Sequence, residues 1–453
     1  MASRYWTGAV NSGTGTWDTS NTANWSTTSG GAGGASVPTT SDQALFDANS
    51  GAGTCTLGSN VVCSVLTLTN YTGTINFATF KIGVAGSATT VVNLGTTATL
   101  TGLKRIDITA NVASGTRTIT GTLASSPSGA EANTPDIYVL AGTDIIAGGV
   151  RCRNIDFTGF SGSLTAAAQV VYGDFVASAT MTTNSGTSRI DFSSTSSTPR
   201  NITTSGITFN FELRFDGVGG NWVLQDNLII SSTKILRTNN GTFDANGKNV
   251  TLGGYFSGAG TKTLNLGSGT WTVTGDNATL TTVWNAQFGV SGLTIIPGTA
   301  TISMTSATAK TFAGAAKTWP ILNQGGAGAL TIQQANTFAN ITNTVQPATI
   351  TFPASTITTV GAFTVSGTSG NLITLNSSTS GTQATLSDAS GVNSVSFCDI
   401  KDINATGGAI WNSLTSAGNI DGGNNLNWNF SVTPQTVTEV TYALRSFTQP
   451  RRF

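Results

Sequence analysis

Apolar and polar residues alternate with a period of two along most of the chain, in short runs that break at Gly, Asn or Thr. Leu66-Thr67-Leu68-Thr69-Asn70-Tyr71-Thr72-Gly73-Thr74-Ile75 sets the form: an alternation, a break carrying an aromatic, a Gly, then a second alternation. The same shape returns over Ile155–Leu164 and, more loosely, over Leu213–Trp222. Such alternation reads as a strand with one buried face, and Gly or Asn at the break supplies the positive φ of a sharp corner. The copies lie 89 and then 58 residues apart, so the unit recurs without a fixed period. One unit cannot bury its apolar face alone and needs a copy stacked on it, which predicts a β-solenoid.

Strands are predicted at Val65–Leu68, Thr74–Phe77, Thr90–Leu94 and Ile106–Ile108. The polar gap at 122–136, with Pro127, Gly129 and Pro135, reads as a projecting loop. The rhythm resumes at Ile137 and is cleanest over 227–275. There Asn246-Gly247 fits either a hairpin turn, which would oppose a purely parallel coil, or a tight left-handed corner. Turns of roughly 20–25 residues over 55–430, stacked at about 4.8 Å, predict some 16 turns and a rod about 75–80 Å long.

Composition sharpens this to an all-β chain. Charged residues make up 9% of it, against about 25% in ordinary soluble domains. Of the twenty acids all but three are Asp, so the Glu, Lys and Arg that usually coat helices are scarce while Thr, Val and Ile abound. An apolar fraction of 38%, arranged in alternation, gives a core to bury and excludes a disordered chain. Zero net charge argues against nucleic acid or a membrane surface as partner, and no apolar run reaches membrane-span length. Cys55, Cys63, Cys152 and Cys398 lack zinc-site spacing; Cys55 and Cys63 are placed to bridge neighbouring strands, or all four are small core residues kept reduced. The first residues hold no basic-then-apolar signal segment, from which we expect a soluble chain that does not leave by the usual signal route.

The two ends differ from the middle. Residues 1–54 embed Trp6, Trp17 and Trp25 in Gly, Ser, Thr and Asn, and read either as a cap over the open end of the stack or as a docking patch for a partner. Residues 431–453 read as an extended tail with one lone strand over Val437–Phe447. Val440, Tyr442 and Leu444 fall on one face of it, followed by Arg445, Arg451 and Arg452, a pattern suited to adding to another chain's sheet beside an acidic surface.

Tyr5-Trp6-Thr7-Gly8, Gly15-Thr16-Trp17-Asp18 and Asn24-Trp25, with Gly241-Thr242-Phe243-Asp244-Ala245-Asn246-Gly247 and the closing Ile400-Lys401-Asp402, Ala405-Thr406-Gly407-Gly408 and Gly422-Gly423-Asn424-Asn425, resemble a loose group of bacteriophage virion proteins: tail fibres, tailspikes and structural β-helix proteins. The resemblance spans about residues 5–430 and carries no catalytic signature. It implies a right-handed parallel β-helix in a virion assembled in the host cytoplasm, often a homotrimer that meets other virion proteins and, for some members, a host surface glycan.

The chain has no His, which removes Ser-His and Cys-His catalysis and most zinc sites. Carboxylate chemistry remains, with Glu212 and Asp216, Asp399 and Asp402, and Asp42 and Asp47 as candidate pairs. Asp at a Gly/Asn corner more often binds its own backbone, so we expect no catalytic pair, no metal and no cofactor. Asp421-Gly422-Gly423-Asn424-Asn425 lacks the spacing of a calcium loop and reads as a stacked corner. Three functions fit: a structural virion rod, a receptor-binding spike that binds or cuts polysaccharide, and a bacterial surface adhesin. An aromatic and carboxylate cluster on one lateral face would distinguish the second from the first, and sequence alone identifies none.

Overall fold

The structure, a computed structural model, describes residues 1–8, 12–121, 123, 131–165, 169–184 and 188–435. It is a parallel β-helix of about 17 turns with almost no helix. Each turn lays short strands on three faces. Face one runs from Ala2–Trp6 through Asp42–Phe46, Val65–Leu68 and Thr90–Asn93 to Thr182–Thr183, and continues in the stack that begins at Thr208–Phe209. Face two starts with Gly15–Trp17 and Thr54–Leu57, and from Arg151–Cys152 onward is a single sheet ending at Ile420–Asp421. Face three runs from Val61–Cys63 to Leu293–Ile296. Below it, Thr318–Gln324 and Thr337–Asn343 are long enough to cross a corner and serve two faces at once. At about 4.8 Å per turn the rod is about 80 Å long.

Period-two burial is what the alternation requires. In Glu212–Phe215, Leu213 and Phe215 point inward while Glu212 and Arg214 point out. Parallel pairing stacks like on like: Phe192 and Phe215 lie in register with rings 4.9 Å apart and nearly coplanar. The aromatic column continues through Phe243, Trp271, Trp284 and Phe312 to Phe338. Deleting a buried ring from such a column costs about 3–5 kcal/mol, because the rigid walls cannot close over the gap.

The repeated unit is strand–corner–strand in all three copies, but at three different corners. Leu66–Ile75 passes from face one to face two, Ile155–Leu164 from face three to face one, and Leu213–Trp222 from face two to face three. This explains the missing fixed period. Asn246-Gly247 is a left-handed corner, with φ of 50° and 70°, and the flanking strands pair in parallel with the next turn. Gly247, Gly267 and Gly298 stack there at positive φ; a Cβ on Gly298 would sit 1.9 Å from the Gly267 carbonyl oxygen.

The coil begins well before residue 55. Ala2–Trp6 pairs in parallel with Asp42–Phe46, and Gly15–Trp17 with Thr54–Leu57, so residues 1–54 share the sheets of the turns that follow. Trp25–Ser26 runs antiparallel on the outer side of Tyr5–Trp6 and closes that edge. Trp6, Trp17 and Trp25 are fully buried against one another and against Phe46, with ring centroids 5.1–5.9 Å apart. They plug the end of the coil.

The corners are clasped by side chains. Asp136, Asn154 and Asp174 each accept, through a side-chain oxygen, the backbone N–H of the residue one turn on: Asn154, Asp174 and Asn201. Lys310 is fully buried, and its ammonium donates to the carbonyls of Ser306, Gly326 and Gly328. Lys262 does the same with Gly258, Gly260 and Gly289. All four cysteines are free and buried, so Cys55 and Cys63 are unbridged core residues; burial pushes every thiol up in pKa. The predicted lone strand at 437–447, and most of the predicted loop at 122–136, lie outside the described residues.

Candidate functional site

The lateral cluster that sequence alone could not locate forms on face two and at the corner that follows it. Arg189, Asp191, Glu212, Arg214, Arg237 and Phe256 are the outward residues of successive strands. Register sets Asp191 beside Arg214, Arg214 beside Arg237, and Arg237 beside Phe256. Two adjacent guanidinium groups would repel, and neighbouring acids relieve this. Asp191 takes both arms of Arg214 at 2.8 and 2.7 Å, and Glu212 accepts from Arg237 at 2.7 Å. Arg237 also lies over the Phe256 ring, 4.3 Å from its centre.

At the next corner Tyr172, Ser193, Asp216, Asn239 and Gly258 stack one per turn, each backbone N–H donating to the strand of the turn before. They line two cavities of about 440 and 450 Å³ that share Asp216. The first holds Arg151, Tyr172, Ser193, Thr195, Gly217 and Val218. The second holds Arg237, Asn239, Asn240, Phe256 and Phe288. Phe288 is 55% exposed and leans on Phe256, with ring centroids 5.8 Å apart. From Arg151 to Phe288 the groove crosses seven turns, about 30 Å along the rod at ~4.8 Å per turn.

The carboxylates of this groove are engaged by neighbouring side chains. Glu212 is tied to Arg237, and Asp216 accepts from Asn239 at 3.0 Å and forms an ion pair with Arg214 at 3.4 Å. Burial pushes the Tyr172 hydroxyl up in pKa, so it remains a donor at neutral pH. Of the other candidate pairs, Asp402, Asp42 and Asp47 are corner fittings. Asp402, at φ 59°, accepts from the Gly381 N–H and the Asn424 amide, and those bonds hold its carboxyl below the usual range. Asp399 points outward from the strand Cys398–Lys401. Asp42 accepts from Thr39, while Asp47 accepts from Asn49 and Ser50, at opposite ends of one strand. Asp421 and Asn425 bond to each other, and Asn425 also clasps the Ile400 carbonyl and the Ile403 N–H.

Of the residues singled out for partner binding, Trp6, Trp17 and Trp25 are enclosed and offer no surface to a partner. Val440, Tyr442, Leu444, Arg445, Arg451 and Arg452 lie outside the described residues. Sequence reading missed Arg151, Tyr172, Arg237, Asn239, Asn240, Phe256 and Phe288. Their shared signal is position, within a face-two strand or up to three residues past it, and unequal turn lengths conceal it. Comparison with protein-family models, with curated proteins and with solved structures finds no match.

Proposed function

We propose that the chain is a structural component of a bacteriophage particle, a rigid β-helical rod of tail-fibre, spike or head–tail decoration type. It presents its flank and ends to a host surface or to neighbouring virion proteins, and it is not an enzyme. The observation that carries this reading is the uninterrupted core of about 17 stacked turns, most of whose outward acids are spent on ion pairs and corner bonds. Such a coil supplies length and stiffness and few groups free for chemistry. The resemblance of residues 5–430 to virion proteins supports the particle as its setting. The tail at 431–453 would join sister subunits, most simply in a homotrimer, or a neighbouring virion protein.

Gold-labelled antibody raised against the purified chain tests the reading on phage particles from the source culture. Label at a fixed position on intact particles is expected, and particles that never label would overturn it. A chain ended after Gln435 should still fold as a rod but fail to trimerise or to enter particles. The groove favours a second reading in part, a receptor-binding spike, because it offers a surface for binding while its occupied carboxylates disfavour cleavage.

A further inference from the structure

We propose that the groove from Arg151 to Phe288 binds an extended saccharide carrying spaced carboxylates, with Arg151 receiving one carboxylate and the Phe256–Phe288 shelf receiving a sugar ring. This rests on the reading of the rod as a surface-presenting element.

Three observations fix the ligand's chemistry, taken along the groove. Among the described residues, eight of nine arginines pair with a carboxylate, and Arg151 is the exception. It lies half-buried in the first cavity with the Tyr172, Ser193 and Thr195 hydroxyls around it. A guanidinium fork left unpaired among hydroxyl donors matches a planar carboxylate. About three turns further on, Asp216 occupies the middle of the groove. It opposes a second anionic charge there but accepts from hydroxyl groups, so the ligand's charges must be separated by neutral, hydroxyl-bearing units. That excludes nucleic acid, whose charges are continuous along the backbone. At the far end, Phe288 presents an exposed ring beside Phe256 and the amides of Asn239 and Asn240. An apolar face next to amide donors and acceptors suits the two-sided character of a pyranose, and the length of about 30 Å accommodates several residues of a linear chain.

The test uses the purified full chain with oligomers of polygalacturonate and of polysialic acid, with dextran oligomers as the neutral counterpart, read by calorimetry. Binding of at least one acidic oligomer and none of dextran is expected. Arg151→Ala should weaken it at least tenfold, Phe288→Ala should weaken it severalfold, and reducing the oligomer's carboxylates to alcohols should abolish it. Unchanged melting of both variants separates lost contact from lost fold. No binding of either acidic oligomer, or affinity unchanged by Arg151→Ala, overturns the proposal; affinity unchanged by Phe288→Ala removes the shelf from it. Particle labelling is independent of this measurement, so a rod that labels on particles but binds no saccharide refutes the site and leaves the structural reading standing.

Discussion

Arg117 and Asp144 meet across adjacent turns in a two-pronged ion pair, with Nε and Nη2 donating to the two carboxylate oxygens at 2.5 and 2.7 Å, and both side chains are out of contact with water. Arg117 also donates to the carbonyls of Ala110 and Ala141. The pair therefore pins two loops to the coil. Replacing Asp144 with Ala leaves a buried guanidinium half-paired and should cost about 3–5 kcal/mol. The double replacement Arg117→Met with Asp144→Leu should recover much of that loss. Thermal melting of the three variants checks both statements, and a single variant that melts with the wild type would rule out a structural role for the pair.

Lys310 contributes a component of stability that grows with alkaline pH. Burial lowers its pKa to about 8 in the folded chain, against an ordinary value of 10.5. Between those values the unfolded chain still holds the proton that the folded chain has released, so raising the pH favours folding across that window. Below about pH 8 both states are protonated and the dependence disappears. The buried thiols, with their raised pKa, act in the opposite sense above about pH 9, so the comparison is between variants. In denaturant titrations from pH 7 to 11 the wild type should gain stability relative to Lys310→Met as the pH rises.

Trp25 closes the coil with its ring against Trp6, Trp17 and Phe46. Trp25→Ala should cost about 3–5 kcal/mol and loosen the first turn before the rest. Hydrogen exchange mapped along the chain is the measurement. Uniform loss of protection over all turns would contradict local loosening.

Neither Asp399 nor Asp402 should be needed for any reaction. The purified chain is expected to release no oligosaccharide from host capsule. Asp399→Asn should leave stability unchanged, because that side chain points outward. Asp402 differs, since bonds from Asn424 and Gly381 lower its pKa. Its contribution to stability is present above pH 3.8 and is lost as the pH falls through the lowered value, so Asp402→Asn should reduce the sensitivity of melting to acid. Capsule cleavage that stops in these variants would refute the non-enzymatic reading.

The coil was legible in sequence because strand pairing in a solenoid depends on local alternation. Leu213 and Phe215 declare an inward face wherever the chain places them, and Asn246-Gly247 declares a corner. The direction of pairing was not local: hairpin and left-handed corner use the same two residues, and only the partner strand distinguishes them. The groove was illegible for a related reason. Tyr172, Ser193, Asp216, Asn239 and Gly258 become neighbours only once every intervening turn has a known length, and those lengths differ. The fate of the tryptophans was likewise decided by the end of the stack, since the same ring serves as a plug or as an anchor according to whether a turn lies above it.

Unequal turns have a consequence for how such a chain can change over generations. Ile145 pairs with Ser163 eighteen residues on, and Tyr255 with Trp284 twenty-nine residues on, yet each pairing advances the coil by one strand spacing. The molecule is a ruler graduated in turns and not in residues. Insertions at a corner widen the rim and alter what it displays, leaving the overall reach untouched, whereas gain or loss of one whole turn alters reach by about 4.8 Å and slides every later display site along the axis by the same step. Display and length can thus be selected separately.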